Sequence, residues 1–196
     1  MSELIFTITQ RHYEMIIRQT LENLPQESGG FLGGKDFTIK AVMPVYNQHL
    51  YNKTDTFAIT QDDVLRAHDF FAKHGLDYYG VYHSHPKGIA EPSQQDLSTN
   101  NRYHFIVGLR NPQNPEFNAF QAFGYRAQQI PIRIIDNKGI TVLELHGGQK
   151  KENSNDLHHE MGRLRNMIDD IKKDRAIYPK LSPSNPFDSS NFNTLA

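Results

Sequence analysis

Two histidines, a serine and an aspartate lie close together in the segment from His83 to Asp96. The run 78–84, Tyr-Tyr-Gly-Val-Tyr-His-Ser, is aromatic and β-branched and therefore predicts a strand. Side chains alternate along a strand, so His83 and His85 should share a face with their Cα atoms roughly 6.5–7 Å apart. Pro86 ends the strand because it lacks a backbone donor. The two imidazoles can therefore converge on one metal ion.

A helix start supplies the third polar group of this segment. Ser93 is placed as an N-cap and Asp96 follows three positions later, which resembles a capping box and turns Asp96 back towards His83 and His85. Two imidazoles and one carboxylate, with a fourth position left for water, form the open tetrahedral arrangement of catalytic zinc. The chain has no cysteine, the residue on which structural zinc sites usually rely. We therefore predict one zinc ion per chain with these three ligands.

Each of these residues also has a simpler interpretation when it is taken alone. A single histidine at a strand end is most often a partly buried, hydrogen-bonded ring. Ser93 and Asp96 alone would be a helix cap. The joint occurrence of His83, His85, Pro86, Ser93 and Asp96 favours the metal site, and capping is compatible with ligation.

The arrangement resembles the signature of the JAMM (MPN-plus, Mov34/PAD-1, JAB-like) zinc metallopeptidases. That signature is His-x-His-Pro, six residues, Ser, two residues and Asp, with a Glu far upstream, and every position is filled here. The upstream acid falls at Glu27, before the glycine-rich run 28–34. Small prokaryotic members often carry a Cys where Ser28 or Gly29 stands. The resemblance spans about residues 5–145 and implies a compact member of the family.

The resemblance also implies a role for each residue of the site. His83, His85 and Asp96 would hold zinc, Glu27 would transfer protons and Ser93 would stabilise the oxyanion. By itself Glu27 is a typical surface residue. Zinc-assisted hydrolysis nevertheless needs a group that takes a proton from water and gives one to the leaving amine. Ser93 is a poor nucleophile candidate because the nearby histidines are committed to the metal.

The pattern of apolar residues predicts a mixed α/β domain with a curved, largely antiparallel sheet flanked by helices, and the resemblance implies the MPN/JAMM fold, which is similar to that of cytidine deaminases. Helical spacing predicts helices at 10–23 and 61–74. The predicted strands are 4–8, 30–32, 38–46, 78–84, 105–109, 117–125, 130–135 and 141–145.

We predict a metallopeptidase domain over residues 1–148 and an extension over 149–196. In the extension, apolar residues of the 155–175 segment recur at 4-3-4-3 spacing and predict an amphipathic helix. This helix would dock on its own domain, pair with a second copy as a homodimer, or bind a partner. The chain then continues as a Pro-, Ser- and Asn-rich tail.

Composition narrows the function further. The net charge of −1 and the absence of a long basic cluster argue against nucleic acid as a partner. No signal sequence or long apolar run is visible, so we expect a cytoplasmic protein without membrane contact. The resemblance implies hydrolysis of an amide or isopeptide bond after the C-terminal Gly-Gly of a ubiquitin-like or sulfur-carrier protein. Two alternatives are a non-catalytic MPN scaffold and a RadC-like protein associated with nucleic acid.

Overall fold

A computed structural model of the protein describes residues 4–146 and 149–151, together with the helical positions 162, 166, 169 and 170. The helices with described bounds are α1 (Gln10–Glu22), α2 (Gln61–Lys73) and α3 (Gln94–Leu97). The strands are β1 (Phe6–Thr9), β2 (Gly29–Lys35), β3 (Thr38–Val45), β4 (Asp77–His85), β5 (Tyr103–Gly108), β6 (Glu116–Phe123), β7 (Arg126–Ile130), β8 (Ile132–Ile135), β9 (Thr141–His146) and β10 (Gln149–Lys151). Over this part of the chain, no helix is long and apolar enough to cross a membrane.

The ten strands form one sheet in the order β10-β9-β8-β1-β3-β2-β4-β5-β6-β7. Three neighbouring pairs are parallel, namely β1 with β3, β1 with β8, and β4 with β5. The other neighbours are antiparallel. The predicted mixed α/β fold with a largely antiparallel sheet is therefore confirmed.

The sheet buries a hydrophobic core on each face. The larger core holds the apolar stripe of α1, including Ile16 and Ile17, against side chains of most strands. A second core packs Ala67 and Phe71 of α2 against one side chain each of β2, β3 and β4, and a third, smaller cluster contains Ala90, Ile106 and Phe120. Helical spacing of apolar residues thus places α1 and α2 on opposite faces, as amphipathic helices require.

Strand β4 contributes alternately to the two cores. Tyr82 belongs to the α1 side, whereas Val81 belongs to the α2 side. Because successive side chains point to opposite faces, His83 and His85 continue the α2 side of the strand. The predicted shared face of the two histidines is confirmed by their contact, with ring centroids 4.9 Å apart.

The glycines of β2 allow β3 and β4 to approach it closely. Gly29 pairs with His83 and Gly30 pairs with Tyr82. A Cβ atom at Gly29 would overlap the Tyr82 carbonyl oxygen and lie 2.9 Å from the His83 Cα. The strand that carries the histidines is therefore held where only a glycine fits beside it.

The predicted strand at 130–135 is wrong as a single element. Pro131 separates β7 from β8, and the two halves pair with different partners, Ile130 with Ala119 of β6 and Ile132 with Phe6 of β1. A proline cannot donate to a sheet ladder, so it marks the point where the chain changes partners.

Strands β7 and β10 were not expected from the apolar pattern. Strand β7 is largely polar and lies at the edge of the sheet, where no alternating apolar signal is required. Strand β10 begins at Gln149, just beyond the predicted domain boundary at residue 148, and pairs with β9. The boundary itself stays a prediction. Most of the predicted 155–175 helix and the whole Pro-rich tail lie outside the described residues.

We expect Gly29→Ala to destabilise the domain by about 3 kcal/mol or more, because the added methyl group forces β2 away from β4. Urea denaturation measures this cost. Gly124→Ala is the control, since Gly124 has a φ of +61° but no atom within 4 Å of an added Cβ. The control should lose only about 1 kcal/mol through backbone strain. Equal losses in the two variants would contradict the packing argument.

Candidate functional site

His83, His85 and Asp96 meet at the carboxyl end of β4. The Nε2 atoms of the two histidines lie 3.1 Å apart. Asp96 Oδ1 is 3.0 Å from Nε2 of His83, and Asp96 Oδ2 is 3.5 Å from Nε2 of His85. One potential ligand atom from each residue lies within 4.8 Å of the others. The structure therefore brings together the three residues that the sequence nominated as ligands.

A capping box at the start of α3 delivers the aspartate. The Asp96 backbone N–H donates to Ser93 Oγ at 3.2 Å, and Asp96 Oδ2 accepts from the Ser93 backbone N–H at 2.6 Å and from the Ser93 hydroxyl at 2.7 Å. The same carboxylate thus closes the cap and faces both imidazoles. The same conformation of Asp96 can therefore cap the helix and face the histidines, as the spacing of Ser93 and Asp96 allows.

The turn after β4 sets the orientation of His85. The backbone N–H of Gly88 donates to the His85 carbonyl oxygen at 3.1 Å, which tightens the turn. His85 Nδ1 lies 3.2 Å from the carbonyl oxygen of Ile89, and because a carbonyl only accepts, this contact places a proton on Nδ1. Nε2 is thereby directed at the site, as in histidines whose second nitrogen orients them towards a metal.

His83 is held by an aromatic residue that sequence reasoning missed. The ring of Phe57 lies parallel to the His83 ring, with a centroid distance of 6.0 Å and an interplanar angle of 5°. His83 is only 5% exposed. A lone phenylalanine in the loop 46–60 carries no sequence signal for this role, since only the tertiary packing brings the loop over β4.

Glu27 lies beside the histidines because β2 continues antiparallel to β4. The Ser84 backbone N–H donates to the Ser28 carbonyl oxygen at 2.9 Å, and the Ser28 backbone N–H donates to Ser84 Oγ at 3.1 Å. These bonds extend the pairing by one residue beyond Gly29, so Glu27 comes opposite His85. The glutamate is 7% exposed, which differs from the surface position that its type alone suggests.

Asn47 organises the loop that covers this acid, and it too was missed. Its Nδ2 donates to the carbonyl oxygens of Glu27 at 3.1 Å and Thr56 at 2.7 Å. The Glu27 backbone N–H donates to the Lys53 carbonyl oxygen at 2.7 Å. From the sequence alone, one asparagine after a strand indicates an ordinary turn residue. Its role depends on backbone groups distant in sequence, which the pattern of the chain does not reveal.

The two carboxylates of the site, Glu27 and Asp96, have pKa values that are shifted in opposite directions. Burial, together with Asp96 and Asp55, raises the pKa of Glu27 to about 7, although His85 opposes the shift. Burial opposes ionisation of Asp96 as well, but hydrogen bonds to His83 and His85 hold the pKa of its carboxyl well below the usual range. Near neutral pH Asp96 is therefore a permanent anion, whereas Glu27 can gain or lose a proton. This is the division expected of a ligand and a general base.

The donor set fits a zinc ion. Zinc bonds of about 2.0–2.1 Å to nitrogen and oxygen in a tetrahedron place ligand atoms about 3.3–3.4 Å from one another. The two Nε2 atoms lie 3.1 Å apart, and each faces a different oxygen of Asp96, at 3.0 Å for His83 and 3.5 Å for His85. With one ligand atom taken from each residue, the three atoms lie within 4.8 Å of one another, so a small adjustment of the side chains would bring them to tetrahedral spacing. Asp96 is ionised, and the Nδ1 contact of His85 directs its Nε2 at the site. Although burial lowers the pKa of His85, the hydrogen bond and the charge of Asp96 raise it, so a metal ion that binds here would displace a proton from this imidazole. No fourth protein ligand is grouped with them among the described residues.

The described domain is similar to known proteins. Residues 9–122 match the family model described as prokaryotic homologs of the JAB domain. A protein of Desulfitobacterium hafniense solved in solution is 25% identical, with 68% of this chain and 94% of that chain covered and a TM-score of 0.61. A Salinibacter ruber protein is 29% identical, with 64% and 90% covered and a TM-score of 0.44. No curated protein matches the chain.

We expect the stability of the metal-free protein to report the burial of Glu27. An ordinary glutamate ionises near 4.5, whereas folded Glu27 ionises at about 7. Between these values the folded protein keeps a proton that the unfolded chain loses, so this group lowers stability as the pH rises through the window. Without metal, Glu27→Gln should therefore exceed the wild type by about 1–3 kcal/mol at pH 8.

Chemical denaturation in the presence of a chelator measures this difference. At about pH 5 the gain of Glu27→Gln should be small, because most of the folded wild type is then protonated at this residue. Glu91→Gln, at an exposed position in the turn, is the control and should show little dependence on pH. A glutamine variant that is less stable than the wild type at pH 8 would contradict this account of Glu27.

Proposed function

The chain belongs to the family of prokaryotic homologues of the JAB domain, and from that premise we propose that it is a zinc-dependent metallopeptidase. Its proposed reaction is hydrolysis of an amide or isopeptide bond after the C-terminal Gly-Gly of a ubiquitin-like or sulfur-carrier protein. The observation that carries the proposal is the grouping of His83, His85 and Asp96 without a fourth protein ligand among the described residues. An open position is what distinguishes a catalytic zinc site from a structural one.

Zinc held by these three residues would polarise a carbonyl group and make a bound water more acidic. The protein itself must then handle the proton. Glu27 is buried beside His85, and burial raises its pKa to about 7. In the metal-loaded site this buried carboxylate would accept a proton from the attacking water and return it to the leaving amine. Glu27 is therefore proposed as the general base and acid.

Ser93 has two proposed tasks that use the same hydroxyl. In this structure the hydroxyl donates to Asp96 Oδ2 at 2.7 Å and so orients a ligand. The role implied by family resemblance, donation to the oxyanion, requires the hydroxyl to rotate towards the substrate. Asp96 would keep its hydrogen bond from the Ser93 backbone N–H at 2.6 Å during that rotation. The helix cap thus leaves the hydroxyl available for the reaction.

The proposed substrate class rests on family resemblance and on the compact surroundings of the site. Only residues 98–102 connect α3 to β5, so this side of the site carries no long inserted loop. A small site of this kind suits an extended chain terminus that ends in two glycines. A net charge of −1 speaks against the RadC-like, nucleic-acid-associated alternative. The non-catalytic scaffold is the alternative that experiment must separate.

Two substitutions separate the zinc site from the proton carrier. Elemental analysis of the wild type should find one zinc per chain. His85→Ala should lose both zinc and turnover. Glu27→Gln should keep zinc but lower kcat on a Gly-Gly amide fusion by about 10²–10⁴-fold, because it removes only the proton carrier. His74→Ala is the control, since His74 caps the carboxyl end of α2 and should keep both properties.

The pattern of zinc and activity across these variants decides between the alternatives. Full activity in Glu27→Gln would show that another group carries the proton. Zinc binding in the wild type without cleavage of any ubiquitin-like fusion would favour the scaffold. Salt-dependent binding of DNA, with no cleavage, would favour the RadC-like alternative.

A further inference from the structure

The connection 86–92 between β4 and α3 lies across the ends of β5 and β6. His85, just before it, pairs with Gly108 of β5, and Gly108 pairs with Glu116 of β6. Residues in register on neighbouring strands share a face of the sheet, so these three positions form one row. Because Gly108 has no side chain, the connection can lie directly on β5. An added Cβ atom at Gly108 would be only 2.4 Å from the Ala90 nitrogen.

Ala90 is the point at which side chains of the sheet hold this connection. Its carbonyl oxygen accepts a hydrogen bond from Asn118 Nδ2 at 3.0 Å, and its backbone N–H donates to Glu116 Oε2 at 3.4 Å. Its methyl group is fully buried with Ile106 and Phe120 in the third core cluster. Ala90 is therefore fixed through both of its backbone polar groups and through its side chain.

The peptide group between Ile89 and Ala90 links these contacts to the metal site. Its N–H is the donor to Glu116, and its carbonyl oxygen lies 3.2 Å from His85 Nδ1, the contact that orients the ring. A peptide group is planar, so a bond that fixes its N–H also fixes the direction of its carbonyl. Asn118 holds the next carbonyl along the chain and limits rotation from the other side. The orientation of His85 therefore depends on two side chains of β6.

Backbone hydrogen bonds hold the first half of the connection independently of these side chains. The His85 carbonyl oxygen accepts from the Leu109 N–H at 3.0 Å, and the Gly88 carbonyl oxygen accepts from the Arg110 N–H at 3.0 Å. Neither bond involves a side chain of β6. Replacing those side chains should therefore leave the connection attached beside β5, while the Ile89 carbonyl becomes free to turn.

We propose that Asn118 and Glu116 are positioning residues for the metal site, and that they keep His85 Nε2 directed at the ion by fixing the peptide group that its Nδ1 contacts. Neither residue belongs to the family signature, and neither is one of the candidate metal ligands. Asn118 is half-buried and Glu116 is exposed, so both can be replaced without opening the core. This inference rests on the proposed function, since it takes zinc as the ion that His85 binds.

Zinc affinity tests these positioning residues without requiring turnover. In the full-length protein we expect the double variant Asn118→Ala with Glu116→Ala to raise the dissociation constant for zinc about tenfold, because the contact partner of a ligand histidine is no longer held in place. Competition with a chromophoric chelator at neutral pH measures this constant. Glu116→Gln keeps an acceptor for the Ala90 N–H and removes only the charge, so it should bind zinc as the wild type does.

A matched control separates positioning from a general loss of stability. Asp136 Oδ1 accepts from the backbone N–H groups of Lys138 and Ile140, both at 2.8 Å, and so holds the turn between β8 and β9. Asp136→Ala thus also removes two side-chain bonds to a connection, but on strands that do not neighbour β4. It should lower the melting temperature and leave the zinc dissociation constant unchanged. The visible spectrum of the cobalt(II)-substituted protein, which reports ligand geometry, should change in the double alanine variant and not in Asp136→Ala.

The outcomes for the positioning residues and for the proposed function are distinct. An unchanged zinc affinity in the double alanine variant, or an equal loss in Asp136→Ala, would overturn the positioning role alone. A wild type that binds zinc with the expected sensitivity to the double variant, but cleaves no Gly-Gly amide fusion, would overturn the proposed function alone. A wild type that binds no zinc would overturn both.

Discussion

The candidate site depends on the antiparallel pairing of β2 with β4. Gly29 lies beside His83 at a separation that excludes any side chain at position 29. One residue further, Ser28 and Ser84 exchange two hydrogen bonds, and these bring Glu27 opposite His85. The acid that would move protons and the imidazoles that would hold zinc therefore belong to one rigid ladder. Sites built on strands keep the precise spacing that proton transfer and metal ligation require.

Helix α3 and the loop 46–60 complete the site on either side of this pair of strands. The capping box of α3 brings Asp96 to the imidazoles, while Asn47 holds the loop 46–60 over Glu27. The surroundings of the two carboxylates account for their different pKa values. Glu27 is buried and its pKa is raised to about 7, whereas hydrogen bonds from the imidazoles keep the pKa of Asp96 low. One site thus contains a fixed anion and a group that can exchange a proton near neutral pH.

The local parts of this arrangement could be predicted from the sequence. Alternation along β4 and the Ser93 to Asp96 spacing depend on nearby residues, so the cluster of His83, His85 and Asp96 was predicted and is found. The burial of Glu27 could not be inferred from its residue type, and the family signature, together with the need for a proton carrier, nominated it. Strands were harder to predict where the chain changes partners at Pro131 or forms a polar edge. Those features depend on which strands pair in the folded sheet, and the order of neighbouring residues contains little information about that pairing.

We propose that one zinc ion at this site makes the protein a hydrolase, and a zinc titration of activity tests this most directly. Chelator-stripped protein would receive increasing zinc while cleavage of a ubiquitin-like Gly-Gly amide fusion is followed. We expect the rate to rise in proportion to zinc and to reach a plateau at one ion for each cluster of His83, His85 and Asp96. Saturation of the site with zinc, without cleavage of any fusion in a panel of ubiquitin-like and sulfur-carrier proteins, would contradict it.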